Sequence, residues 1–172
     1  MQRHVMLSVA LLVLLIPPLP PSAFSQSFTD KAEKDNAVEM SDEDPAMQKA
    51  MERARAGLED FLHKAGSPAP NTDHYSVKVR VSEGDNQEYL WVSNLKTQGD
   101  LWSGRIDNLP MISSVKKGQS YSFAKTEIVD WTYIDRNKKK VFGNFTTCAL
   151  LTKEPAAVAE SIQKQYGLEC DR

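Results

Sequence analysis

The chain has 172 residues, 41% apolar and 26% charged, with 21 basic against 23 acidic side chains and a formal net charge of −2. That length fits one domain with extensions, and the balanced charge excludes a nucleic-acid binder working through bulk basicity. Eight Gly and nine Pro exclude a collagen-like or low-complexity chain, and the aliphatic content argues against global disorder.

Met1 to His4 is a short basic start carrying Arg3, and Val5 to Ile16 is an apolar run broken only by Ser8. The run is too short for a bilayer, which needs about 20 residues, and Pro17, Pro18, Pro20 and Pro21 forbid its continuation as helix. Ala23-Phe24-Ser25 places small residues before Gln26, the pattern of a secretory signal peptide over 1–25, with a membrane anchor as the alternative. No later stretch approaches spanning length. The mature chain is therefore expected to be soluble and periplasmic or secreted. Residues 26–41 are polar and charged and read as a flexible linker; the single domain is expected over 42–172.

Asp42-Glu43-Asp44-Pro45 reads as a helix start, because carboxylates suit the positive dipole end and Pro is tolerated in the first turn. Met47, Met51, Ala54, Leu58, Phe61, Leu62 and Ala65 then form one apolar stripe, ended by Gly66 and Ser67-Pro68. From His74 the period becomes two: Tyr75, Val77, Val79 and Val81 alternate with Ser76, Lys78 and Arg80, a half-buried strand. After the turn at 83–86, Tyr89 to Leu95 is a strand with Leu90 and Val92 on one face and Tyr89, Trp91 and Leu95 on the other. Further strands are expected over 101–107, around Tyr121 and Phe123, and over 128–134. Arg136 to Lys140 reads as a basic hairpin tip and a solubilising turn, and Val141 to Leu151 as the last strand, with Gly143 a bulge point. Glu154-Pro155 opens a second helix with Val158, Ile162 and Tyr166 in a stripe and Gly167 as its stop. Unbroken strands between two helices predict an α+β domain: an antiparallel sheet or small partly open barrel of about six strands, flanked by an N-terminal and a C-terminal helix.

Cys148 and Cys170 are the two cysteines. An even count in an exported chain favours a disulfide tying the C-terminal helix to the last strand, worth about 3 kcal/mol if unstrained, with two unrelated thiols as the alternative. Neither a redox motif nor a metal site is expected, since there is no Cys-x-x-Cys, and His63 and His74 stand at no ligand spacing from the cysteines. No cofactor fingerprint is present. Asn144-Phe145-Thr146 fits a glycosylation acceptor but lies where a strand interior is expected.

The most pointed local feature is Asp130-Trp131 inside an apolar strand. A carboxylate there is either hydrogen-bonded or opens onto a groove. In the first case Asp130 accepts backbone N–H groups, pins a turn and keeps a depressed pKa. In the second it joins Glu88, read as a more solvent-exposed residue at a strand start, in a binding cleft lined by Trp91, Trp102 and Trp131. Glycosidase chemistry would require those two carboxylates at a set separation.

These residues also carry a resemblance. Asp44-Pro45-Ala46-Met47, Ala54-Arg55, Phe61-Leu62, Val77-Lys78-Val79 and Glu88-Tyr89-Leu90-Trp91-Val92 are followed by Ser103-Gly104 with Asn108 and Pro110, and by Lys117-Gly118. Ile128-Val129-Asp130-Trp131-Thr132-Tyr133 and Gly143-Asn144-Phe145-Thr146 complete the set. In order and spacing over 42–152 the chain resembles the YegJ-like family of bacterial proteins of unknown function. The resemblance implies a small α+β domain, often exported, and no particular reaction. Cys148 stands where that family's pattern is often basic, which makes the disulfide a feature of this branch. The leading functional expectation is a non-enzymatic exported interaction domain without a nucleic-acid partner. It would bind a protein partner or a cell-envelope component, an immunity-type protein being one version. The alternative is an envelope glycan hydrolase using Glu88 and Asp130. The two readings separate on whether Glu88, Trp91, Asp130 and Trp131 converge in one pocket.

Overall fold

The computed structural model describes residues 40–170; the expected signal peptide and nearly all of the expected linker lie outside the described residues. Helix α1 (Pro45–Gly66) starts as its sequence dictates: Asp44 is the N-cap, its side chain accepting the Ala46 N–H at 2.8 Å. Its buried stripe is Met47, Ala50, Met51, Ala54, Leu58, Phe61 and Leu62.

Six strands follow: β1 (Thr72–Glu83), β2 (Asn86–Gln98), β3 (Leu101–Ile106), β4 (Ser120–Ala124), β5 (Ile128–Asp135) and β6 (Lys140–Gly143). They form one antiparallel sheet in the order β4-β3-β2-β1-β5-β6, as the run of strands between helices led one to expect. The sheet stays open. Two short helices close the chain, α2 (Phe145–Leu151) and α3 (Ala156–Tyr166).

Cross-strand register builds the core. Val77 stands opposite Val92, which stands opposite Ile106, and Val79 stands opposite Leu90. Residues directly opposite one another share a face, so these side chains form one apolar layer, and it packs on Ala54, Leu58, Phe61 and Leu62 of α1. Trp131 enters from β5: it stacks on Phe61 with ring centroids 5.0 Å apart, and its indole N–H donates to the Ala54 carbonyl at 2.8 Å.

The expected last strand needs correction. It stops at Gly143, and the segment read as its second half is α2. Gly143 and Asn144 both take positive φ, +75° and +58°, which turns the backbone out of the sheet. A Cβ at Gly143 would lie 2.0 Å from the Trp131 carbonyl oxygen, so only glycine lets β6 end against β5 there. Freed from the sheet, the helix-favouring Ala149, Leu150 and Leu151 complete about two turns of helix that an alternating apolar reading mistakes for strand. Asn144 therefore precedes a helix and does not lie in a strand. Cys148 and Cys170 are bonded, with Cα atoms 5.3 Å apart. Because Cys148 sits on α2, the bridge joins that helix to the segment after α3, not to the last strand. Leu151, Ala159, Ile162 and Leu168 form a small separate cluster there.

Candidate functional site

The residues grouped by the sequence disperse over both faces of the sheet. Glu88 stands opposite Val81 and so lies on the α1 face. It is buried, contrary to the expectation of a solvent-near strand start. Its Oε2 accepts the backbone N–H groups of Met111 and Ile112 at 2.9 and 3.0 Å, so it anchors the loop between β3 and β4. Trp131 lies on the same α1 face, opposite Val77, and Trp102 packs half-buried opposite Phe123.

Asp130 faces the other way, opposite Lys78. It is fully buried and accepts the Trp131 N–H at 2.8 Å and both the N–H and hydroxyl of Thr146 at 2.7 Å. These bonds pin β5 to the start of α2, the structural arrangement described above. The depressed pKa expected with it is corrected: burial pushes the Asp130 carboxyl above the ordinary carboxylate range, outweighing the Thr146 bonds and the nearby Lys78 ammonium. Trp91 lies on that same face over Lys78, whose Nζ is 5.0 Å from the ring centroid. Glu88 and Asp130 thus lie on opposite faces of the sheet, each occupied by backbone N–H donors.

A different place carries the unusual geometry. The β1–β2 ladder runs without interruption from Glu83–Asn86 to Ser76–Ser93 and then stops. Both strands continue, but apart: Thr72 and Asp73 stay paired with β5, and Lys96, Thr97 and Gln98 with β3. No rung joins Thr72–Tyr75 to Asn94–Gln98, so the sheet forks. Each prong carries a bulge. One extra residue lies between Asp73 and Ser76 against β5, and one between Ser93 and Lys96 against β3. His74 and Asn94, one in each bulge, both hold φ at +54°, a left-handed conformation that a residue with a Cβ adopts at an energetic cost. The second bulge also turns Leu95 onto the α1-face cluster, away from the face expected for it beside Tyr89 and Trp91.

The fork encloses a cleft of about 740 Å³, within the usual range for ligand sites, which the C-terminal end of α1 and the turn after it help to line. One side is apolar, with Tyr75 stacked on Tyr133 at 5.1 Å, and Leu95. The other is polar. Ser93 donates its hydroxyl to Asp107 at 2.8 Å. Asp73 binds the Arg136 guanidinium through Oδ2, while its Oδ1 is buried without a hydrogen-bond donor, 3.8 Å from His74 Nε2. The site therefore offers acceptors and negative charge beside an aromatic wall. Among the described residues no group of three or more His, Cys, Asp or Glu side chains is arranged to hold a metal ion. Sequence reasoning passed over every one of these residues as a site. The available signals were His74 and Asn94, residue types tolerant of left-handed backbone, inside otherwise β-forming runs.

Comparison with known proteins points to one family. The family described as "Uncharacterized protein conserved in bacteria (DUF2314)" matches residues 44–170. The curated "Uncharacterized protein YegJ" of Escherichia coli (strain K12) is 25% identical over 119 residues, spanning 69% of this chain and 75% of that protein. No solved structure matches the chain.

Proposed function

This chain belongs to the DUF2314 family of bacterial proteins, and from that premise we propose that it is an exported, non-enzymatic interaction domain that recognises a protein partner at the forked end of its sheet. The observation that carries this reading is the pair of left-handed non-glycine residues, His74 and Asn94, facing one cleft from two neighbouring strands. Backbone strain is retained where surrounding structure over-determines it, and it clusters at binding sites. Export is supported by the signal-like N-terminus and by a disulfide that suits an oxidising compartment. Glycan hydrolysis by Glu88 and Asp130 gains no support, because the two carboxylates do not flank a common cleft.

A photo-crosslinking residue placed at exposed Lys96, on the β2 prong, should give a discrete protein adduct in the producing bacterium. The same group at exposed Lys164 on α3 should not. Equal labelling at both positions, or none at Lys96, refutes recognition at the fork. N-terminal sequencing of material released from the envelope should begin at Gln26; intact Met1 on cytoplasmic protein refutes export.

A further inference from the structure

We propose that the fork receives an extended segment of the partner as an added β-strand, paired with the free inner edges of β1 and β2. This rests on the reading of the fork as the recognition site and adds the chemistry of its ligand.

The argument starts from the ladder. Past Ser76 and Ser93, β1 has a neighbour only on its β5 side and β2 only on its β3 side. Each prong therefore presents one strand edge without a ladder partner, and residues 73–76 of one and 93–95 of the other line the same cleft. An unpaired edge is a template for another strand, and sheets normally blunt it or cover it. Here the end of α1 and the turn after it line the cleft, and that turn's Ala69 carbonyl accepts the Thr72 N–H, but neither adds a strand to either edge. Instead, the two bulges hold the edges apart, at the cost of two left-handed backbone residues. A collapsed hairpin would have paired them at a single inter-strand spacing of about 4.8 Å; a third strand between them requires twice that.

The side chains specify the segment. A strand lying in the fork would point alternate residues to opposite faces. One face of the fork holds Tyr75 and Leu95, both packed on the apolar cluster under α1. The other holds Ser93 and Asp107. Asp73, at the β1 prong, keeps one buried oxygen without a donor. The ligand class is thus an extended peptide alternating apolar with basic residues. Apolar side chains would meet the aromatic wall, and ammonium or guanidinium groups would meet the carboxylates.

The test uses the mature full chain and a displayed library of capped hexapeptides, with Val, Ile, Leu, Phe or Tyr at alternate positions and Lys or Arg between them. Binders should emerge, and fluorescence anisotropy should show about tenfold weaker binding to an Asp107→Lys variant, whose fold is checked by circular dichroism; such a loss corresponds to about one charge-assisted hydrogen bond. The best binder is then scanned by backbone N-methylation. In a strand, successive N–H groups point to opposite neighbours. Insertion between two edges therefore predicts losses of about tenfold at consecutive central positions. Losses at alternate positions only would mean that one prong is used, and indifference to N-methylation would mean side-chain recognition; either overturns insertion but leaves the cleft as the binding site. A library without binders, or binders indifferent to Asp107→Lys, overturns the proposal and removes its support for the cleft itself.

Discussion

The two ends of the β1–β2 pair are built to opposite specifications. At the closed end the ladder is continuous through eight residue pairs to the turn at Gly84 and Asp85. Glu88 spends its carboxylate on two backbone N–H groups of the neighbouring loop, and Glu83 accepts the N–H and hydroxyl of Ser113 in that same loop. At the forked end the ladder fails, two residues sit in left-handed conformations, and a buried Asp73 oxygen lacks a donor. One hairpin thus has fully satisfied carboxylates at one end and, at the other, a carboxylate with one oxygen left without a donor. Local rules of capping, register and polar satisfaction hold where a structure is only being held together, and their breach marks where it is poised to meet something else.

The strongest test attacks the closed end. Glu88→Ala should cost about 3 kcal/mol, because it strands two backbone donors beside a void, whereas Glu88→Gln keeps an acceptor and should cost about 1 kcal/mol. Urea denaturation checks both, and neither should weaken ligand binding at the fork. Equal costs for the two variants would show that the hydrogen bonds are not what holds the loop.

Next, Gly104→Ala attacks the support of the fork. A Cβ there would lie 2.4 Å from the Ser93 carbonyl oxygen and 2.6 Å from Val92 Cγ1, where β2 begins to bulge. Destabilisation of about 2 kcal/mol is expected, with the backbone at Ser93 forced to shift. Amide chemical shifts should change around Asn94 and leave the turn at Gly84 unaltered; changes spread evenly along β2 would mean that the two ends are not independent.

Asp130 stands between the two ends, opposite Lys78, and calibrates the comparison. Its folded pKa is raised, chiefly by burial, so the native state holds this proton to higher pH than the unfolded chain does. Its favourable contribution is complete below the unfolded carboxylate pKa of about 3.9 and falls as pH rises through the folded value. Asp130→Asn should therefore cost about 1–2 kcal/mol near pH 4 and progressively less as pH rises through the folded value and the wild type takes on a buried charge. A cost that grows with pH would show that the Thr146 and Trp131 bonds outweigh burial.

The smallest effect is the most telling. His74→Gly and Asn94→Gly should each leave stability unchanged or raise it by up to about 1 kcal/mol, since glycine takes positive φ freely. Binding at the fork should weaken all the same, because the prongs lose their fixed separation. Variants that lose stability would show that these conformations are ordinary bulge geometry without stored strain.

The same contrast explains what could be read in advance. The stripe of α1 and the Val77-Val79-Val81 alternation are local periodicities and the acidic run before Pro45 is a local start signal, so their elements were legible. The direction of Asp130 toward donors was legible too, since an acid in an apolar strand must find them. The fork was not. It depends on which strand each residue faces, and one extra residue in β1 or β2 leaves composition and period almost untouched. Leu95 shows the difficulty: by strict alternation it sides with Trp91, and only the bulge returns it to the core. The segment from Phe145 to Leu151 failed for another reason. Seven mostly apolar residues support either period, and Gly143 with Asn144 made the choice through backbone conformation. Glu88 was misjudged because its partners lie in a loop distant along the chain.

The order of the strands bears on when this molecule becomes competent. β1 through β4 form a meander of sequential neighbours, whose pairing closes short loops and is kinetically cheap. β5 must return across β2, β3 and β4 to lie beside β1, the one strand pairing in the sheet with such a long excursion. Its arrival is the expected late step. Until then Asp73 has no Ile134 opposite it, Trp131 has not reached Ala54, and the β1 prong has no fixed direction. A chain stalled before β5 docks would keep its closed end and lack its fork. The capacity to bind would thus be conferred by the last act of folding, and an unfinished molecule could not occupy its partner.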